Sequence, residues 1–358
     1  MTASSAGAAL ADETMSRWSA LVVPWLVSRG ALFAVAQRAA DLRSKPGGLA
    51  AFRVWDGPWY ADIARYGYDW AHPNGETPYP FFPLLPAVLR FGTALGFDPI
   101  AFGVIVNHLV FLIALAGVYE IARVHFGPLA AGLAVWSLAL FPGSAPLTMV
   151  YPDVIFLACA VWAFRAIEEG RDARAGLLAA IAALARPNGL VVALALALAL
   201  ATALASRSWR RILAVAAPAV AAVAAWMAWL WTQTGDPLIF IHAKAAWHEI
   251  TVASLLAGAD PFPRRDLAPF AFAALVLALT WRRLPVAWLA LAGLTLLPSL
   301  AFGILGMPRY TSACFPVFVA TGILLARLPV TLRVATLVCF AAALLALADN
   351  VFLLRFVP

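Results

Sequence analysis

Apolar runs separated by short polar or proline-bearing breaks recur along most of the 358-residue chain. A helix needs about 20 apolar residues to cross a bilayer. Runs of helical character fall at about 18–39, 99–123, 128–149, 151–168, 174–186, 188–205, 211–232, 266–282, 285–304, 308–327 and 331–353. The pattern predicts an all-α polytopic membrane protein, a bundle of about eleven transmembrane helices. The stretch 174–205 is long for one span and short for two, and "RPNG" interrupts it at residues 186–189. Pro187 removes a backbone donor and Gly189 permits a turn, so two short helices are expected to meet there. Residues 80–96, "PFFPLLPAVLRFGTALG", carry three prolines and Arg90. They read as an interfacial or half-buried helix.

Composition sharpens this picture. The chain is 64% hydrophobic and 12% charged, with mean hydropathy +0.88. Soluble domains carry about 25% charged residues. The net charge is +7, and the only lysines are Lys45 and Lys244. The arginines are dispersed between apolar runs, so they read as topology signals and not as a nucleic-acid surface. With Arg17 inside, Arg123, Arg165, Arg171, Arg174, Arg207, Arg210, Arg211, Arg282, Arg283, Arg327 and Arg333 all fall on the cytoplasmic side, a consistent positive-inside pattern. Residues 1–17 are expected to be a cytoplasmic tail and 18–358 one transmembrane domain, with outer loops at 41–98 and 233–265. Arg29, inside the first run, calls for a structural ion pair or a wet cavity. Cys159, Cys314 and Cys339 lie in apolar runs at no metal-site spacing and read as small buried hydrophobes.

The same topology places five polar-aromatic islands on the outer face: "RVWDGPWY", "YPDVIF", "RPNG", "AKAAWHE" and "GMPRYTS". One site built from all five is the economical expectation. Asp56 could cap a short helix that Gly67 ends, or it could act as a base. Around it, Arg53, Trp55, Trp59 and Tyr60 serve either as an interfacial belt or as a platform for a sugar ring. Asp153 complements a helix dipole as a first-turn acid, or joins the site. Arg186 and Asn188 sit at the mid-chain break, where a buried arginine implies an anionic partner or a wet cavity. Lys244, Trp247 and His248 recur at neighbouring positions of an expected amphipathic surface helix at 235–249. Arg309 and Tyr310 lie at the outer end of a span. No Walker loop, dinucleotide fingerprint, HExxH or nucleophile elbow is present. Cationic groups suit a lipid phosphate, a carboxylate suits proton abstraction from a hydroxyl, and aromatic faces suit a sugar.

"WDGPWYADIARYGY" followed by "YPFFPLLP" resembles the first luminal loop of the PIG-V family of mannosyltransferases, integral membrane glycosyltransferases of the GT-C class. "YPDVIF", "ARPNGL", "TGDPLIFIHAKAAW" and "PRY" are similar to later motifs of that family in the same order, so the resemblance spans about residues 20–320. It implies a GT-C-like bundle and an inverting transfer of a sugar, expected to be mannose, from a polyprenyl-phosphate donor. The acceptor is then lipid-linked or part of the cell envelope, on the periplasmic face of a bacterial cytoplasmic membrane, with no cofactor and no metal. Asp56 aligns with the family's expected base. Asp153 stands where relatives often carry Glu, and Lys244 where Gln is usual. Arabinose, galactofuranose or an aminosugar would keep the class. A transporter or flippase would change it, but the chain shows no internal repeat of the kind many transporters carry.

Overall fold

The computed structural model describes residues 3–71, 74–202, 208–247, 250–258 and 264–356. Among these residues the elements are all helical. In chain order they are α1 (Ala3–Leu42), α2 (Asp56–Tyr66), α3 (Leu84–Ala94), α4 (Pro99–Leu140), α5 (Asp153–Glu168), α6 (Asp172–Ala185), α7 (Leu190–Thr202), α8 (Trp209–Thr234), α9 (Ile239–His242), α10 (Val252–Leu256), α11 (Arg264–Thr280), α12 (Val286–Phe302), α13 (Met307–Ser312), α14 (Phe315–Leu325) and α15 (Val330–Phe352). Every apolar run of the sequence pattern holds helix. Among the described residues four helices are long and apolar enough to cross a membrane: Trp18–Leu42 within α1, α4, α8 and α15. The remaining runs are shorter helices packed among these, and the chain is an integral membrane protein.

Local chemistry sets the breaks. α4 starts where the Asp98 carboxylate accepts the N–H groups of Ile100 and Ala101 at 3.0 and 3.1 Å, with Pro99 in the first turn. Its two expected spans are joined through a kink at Gly127 (φ 85°), followed by Pro128. The second span stops at Leu140, ahead of a 3-10 helix over Pro142–Leu147. α6 and α7 meet at a 3-10 turn over Pro187–Gly189, where the proline break predicts it. The last outer run divides into α13 and α14.

Two expectations change. α1 begins at Ala3, so the polar, alanine-rich start is helical; alanine has the highest helix propensity and carries the helix past the apolar run. The 235–249 segment is not one amphipathic helix. The one-turn helix α9 passes into a 3-10 turn over Ala243–Ala246, and residues 248–249 lie outside the described set.

Small residues bring the helices together. At Gly176 on α6, an added Cβ would sit 2.2 Å from the carbonyl oxygen of Ala214 on α8. At Gly322 on α14 it would sit 2.3 Å from that of Ala130 on α4. Close backbone approach of this kind replaces the hydrophobic drive that lipid does not supply. Among the described residues Arg29 has no carboxylate partner. It donates to the carbonyls of Ala139 (2.9 Å) and Ser144 (3.1 Å) and to Ser144 Oγ (2.9 Å), so it satisfies the carbonyls at the end of α4.

Two polar ends result. One gathers His125 with Glu168 (2.9 Å) and Arg211 with Asp172 (2.6 Å). The other gathers Asp56, Asp153, Arg186 and Arg309. Asn74→Cys is expected to react with an impermeant thiol reagent from outside the cell, and Ser208→Cys is not. The background has Cys159, Cys314 and Cys339 replaced. Outside labelling at 208 would invert the arginine-based orientation.

Candidate active site

Asp56 is the first residue of α2, yet it does not cap that helix, whose N-cap position is Trp55. Trp55 has φ 53°, in the left-handed region that non-glycine residues rarely adopt. Its indole N–H donates to the carbonyl of Val351 at 2.8 Å, which anchors the turn on the end of α15. The strained residue turns the Asp56 carboxylate inward, where Oδ2 accepts from Nη1 of Arg309 at 3.0 Å. The Asp56 backbone N–H donates to the Tyr151 hydroxyl at 3.2 Å.

Arg309 extends the network. Its Nε lies 3.9 Å from Oδ1 of Asp153, which accepts from Nη1 of Arg186 at 2.5 Å. Asp153 and Arg186 are almost fully enclosed, with side chains 2% and 7% exposed. The four groups form one line of alternating charge: Asp56, Arg309, Asp153, Arg186. Tyrosines separate its cations. The Arg186 and Arg309 guanidiniums lie 4.9 and 5.1 Å from the centre of the Tyr310 ring, and Arg309 lies 4.8 Å from that of Tyr151. The Tyr310 hydroxyl also accepts from Arg309 Nη2 at 3.3 Å.

These contacts depend on how two loops are held. Asn107, buried in α4, donates to the carbonyls of Met149 (2.5 Å) and Tyr151 (2.9 Å), fixing the loop ahead of Asp153. α13 lies on the Pro142–Leu147 turn so closely that a Cβ at Gly143 would be 2.1 Å from the Pro308 carbonyl oxygen. Only glycine fits that approach, and it brings Arg309 under Tyr151.

Burial pushes the Asp56 carboxyl above the usual carboxylate range, and the Arg309 charge draws it partly back. Its side chain is nonetheless 31% exposed, so an oxygen remains reachable. Both acids of the line are held by guanidiniums. Among the described residues no three His, Cys, Asp or Glu side chains come together as a metal site.

Beside the line lies a cavity of about 320 Å³, lined by Arg186, Pro187, Asn188, Phe240, Ile241, Lys244, Thr295, Pro298, Ser299, Gly303 and Tyr310. It sits between the α6–α7 break, α9 and the end of α12. Asn188 Oδ1 is buried there with no hydrogen-bond partner. Asp56 is not in the lining; Arg186 and Tyr310 form the wall between the cavity and the rest of the charged line.

The other predicted residues are distributed around this centre. Trp59 lies parallel to Trp70 (4.9 Å) and Phe81 (5.4 Å) and touches Trp247 (4.9 Å), so aromatic neighbours occupy its ring. Tyr60 is buried edge-on to Phe81. Arg53 stands apart, 4.0 Å from Asp98. His248 lies outside the described residues. Tyr151 and Asn107 belong to the centre but were not among the candidates. Tyr151 adjoins the predicted Asp153, whereas Asn107 gives no signal beyond being a polar residue within a span.

Residues 72–233 match the family model described as dolichyl-phosphate-mannose-protein mannosyltransferase. The matched stretch contains Asp153, Arg186 and Asn188, and neither Asp56 nor Arg309. No curated protein matches the chain. The fold is similar to ArnT from Cupriavidus metallidurans bound to undecaprenyl phosphate, with a TM-score of 0.56 and 18% identity over 90% of this chain and 64% of that one. The apo state of the same protein gives a TM-score of 0.52 at 18% identity, over 86% of this chain and 60% of that one. The apo Archaeoglobus fulgidus oligosaccharyltransferase gives 0.49 at 15% identity, over 93% of this chain and 57% of that one. The chain thus spans less than two thirds of the length of these neighbours. With the two ArnT comparisons, the all-helical fold is that of GT-C membrane glycosyltransferases.

Proposed function

We propose that this chain is an inverting glycosyltransferase that moves mannose from a polyprenyl-phosphate donor to a lipid-linked or envelope acceptor on the non-cytoplasmic face. The observation that carries the reading is the alternating line Asp56–Arg309–Asp153–Arg186 beside a cavity that also contains Lys244. A reachable carboxylate and a cationic cavity are the two parts that sugar transfer from a lipid phosphate requires.

In this reading the donor phosphate lies near Arg186 and Lys244, whose charges stabilise the negative charge that grows as it departs. Asp56 takes the proton of the acceptor hydroxyl through the oxygen that Arg309 leaves open. The acceptor oxygen then bonds to the anomeric carbon while the bond from that carbon to the phosphate oxygen breaks. The electron pair leaves with the polyprenyl phosphate, and a single displacement inverts the centre. Asp153 holds Arg186 and steadies Arg309 without touching substrate. The match to the mannosyltransferase family model supports mannose. The PIG-V-like motif around Asp56 supports that acid as the base.

The test supplies radiolabelled polyprenyl-phosphate mannose to membranes with and without the protein and identifies the labelled product. Label is expected in a lipid-linked or envelope product only when the protein is present. Transfer of a different sugar alone would change the donor, and no transfer from any prenyl-linked sugar would overturn the reading.

A further inference from the structure

Among the described residues two acids are fully buried, Asp153 and Asp266. Asp153 belongs to the charged line. Asp266, in the first turn of α11, is 3% exposed and has no part in the transfer reading. Burying a carboxylate is costly unless it is used, and its contact identifies the use.

Asp266 Oδ1 accepts the backbone N–H of Gly306 at 3.2 Å. Gly306 is the N-cap residue of α13, at φ 84°, which a side chain would strain. Its carbonyl accepts the N–H of Tyr310 at 3.1 Å. A continuous path therefore runs from the carboxylate through one residue, Gly306, to the residue next to Arg309. Two glycines bracket the connection: Gly303 (φ 156°), on the cavity wall, and Gly306. Between them the segment is tied at one point, where Ile304 donates its N–H to the Ile250 carbonyl at 2.7 Å, and Asp266 supplies the second tie at Gly306. α13 has six residues and no side-chain cap of its own; Met307 donates its N–H to the Ile304 carbonyl at 3.0 Å and Pro308 has none, which leaves the N–H of the N-cap residue Gly306 to Asp266. On its far side, the Gly143 contact blocks movement in only one direction.

We propose that Asp266 is a positioning residue that holds α13 in register, so that Arg309 meets Asp56 and Tyr310 separates Arg309 from Arg186. The effect of Asp266 on transfer rests on the glycosyltransferase reading; its effect on Arg309 does not. What α13 requires is an acceptor oxygen, which Asn supplies and Ala does not.

The test reads Arg309 itself. Purified wild type, Asp266→Asn and Asp266→Ala are treated in detergent with phenylglyoxal, and modification at Arg309 is followed by mass spectrometry. Arg165 is the internal control: its side chain is shielded to a similar degree, 14% exposed against 16% for Arg309, and it lies at the opposite end of α5 from Asp153. Asp266→Ala is expected to raise the Arg309 rate about fivefold with Arg165 unchanged, as local opening of one short helix requires, and Asp266→Asn to stay within about twofold of wild type. In the transfer assay Asp266→Ala is expected to lower kcat about tenfold, with the donor KM within about threefold, because a displaced Arg309 harms the reacting geometry more than the cavity. Unchanged Arg309 labelling in Asp266→Ala would overturn the proposal. So would equal behaviour of Asn and Ala, or a parallel rise at Arg165, which would mean general loosening. If the wild type transfers no sugar, the glycosyltransferase reading fails and the labelling still decides the role of Asp266.

Discussion

Asp56→Asn is expected to lower transfer by about 10²–10⁴-fold, the usual loss when a general base is removed, while the protein extracts and elutes as the wild type does. The substitution keeps the shape of the side chain, and its amide oxygen still accepts from Arg309. It removes only the charge and the capacity to take a proton. The fold has little reason to fail, because the side chain is 31% exposed and its helix takes no cap from it. Purified variant and wild type, compared in the same membrane mimetic by kcat and elution profile, decide the matter. Near-wild-type transfer by the variant would remove the base assignment.

The same residue sets the pH profile. The base works only when deprotonated, so activity falls as pH drops through its pKa. Burial holds that pKa above the ordinary carboxylate range, so the acidic limb of kcat/KM is expected above that range. Arg309 acts in the opposite sense by favouring the charged form. Arg309→Met should therefore move the acidic limb to higher pH, along with any loss in rate. A limb that stays fixed would mean that Asp56 is not the titrating group.

Much of the bundle could be read from the order of residues because its causes are local. The Pro187–Gly189 break, the Asp98–Pro99 start of α4 and the positions of the apolar runs depend on neighbours within a few residues. The convergence of Asp56, Asp153, Arg186 and Arg309 could be anticipated only coarsely, through the rule that puts arginines inside. Their pairing could not: Arg309 and Asp56 are 253 positions apart, and nothing local states that they touch. Trp59 illustrates the same limit. An aromatic beside an acid at a membrane surface suits a sugar platform, but Trp70 and Phe81 from the same loop and Trp247 from the second outer loop pack on it. For Arg29 the sequence offers an ion pair or a wet cavity, whereas the backbone carbonyls of Ala139 and Ser144 take its guanidinium. Asp266 carries no signal in the sequence, because its partner, Gly306, is 40 residues away.

Arg186→Met should be more damaging to the fold than any change at Asp56. It leaves the Asp153 carboxylate enclosed without its 2.5 Å partner, and breaking a buried pair from one side costs about 3–5 kcal/mol. Arg309 offers partial relief, since its Nε is 3.9 Å from the same oxygen and has no hydrogen-bond partner. Moving closer would draw Arg309 away from Asp56, so transfer should fall even where folded protein survives. The double variant Asp153→Leu with Arg186→Met separates the two roles. Replacing both ions with apolar groups removes the desolvation cost together with the attraction, an exchange that is often neutral or stabilising by about 1–4 kcal/mol. Thermal unfolding in detergent should thus show a large loss for Arg186→Met and recovery in the double variant. Transfer should stay low in both, because the cavity has lost a cation in each and, in the double variant, Arg309 has also lost its second carboxylate. If Arg186→Met melts like the wild type, the pair does not bear on stability; if the double variant transfers like the wild type, the line of alternating charge is not part of the chemistry.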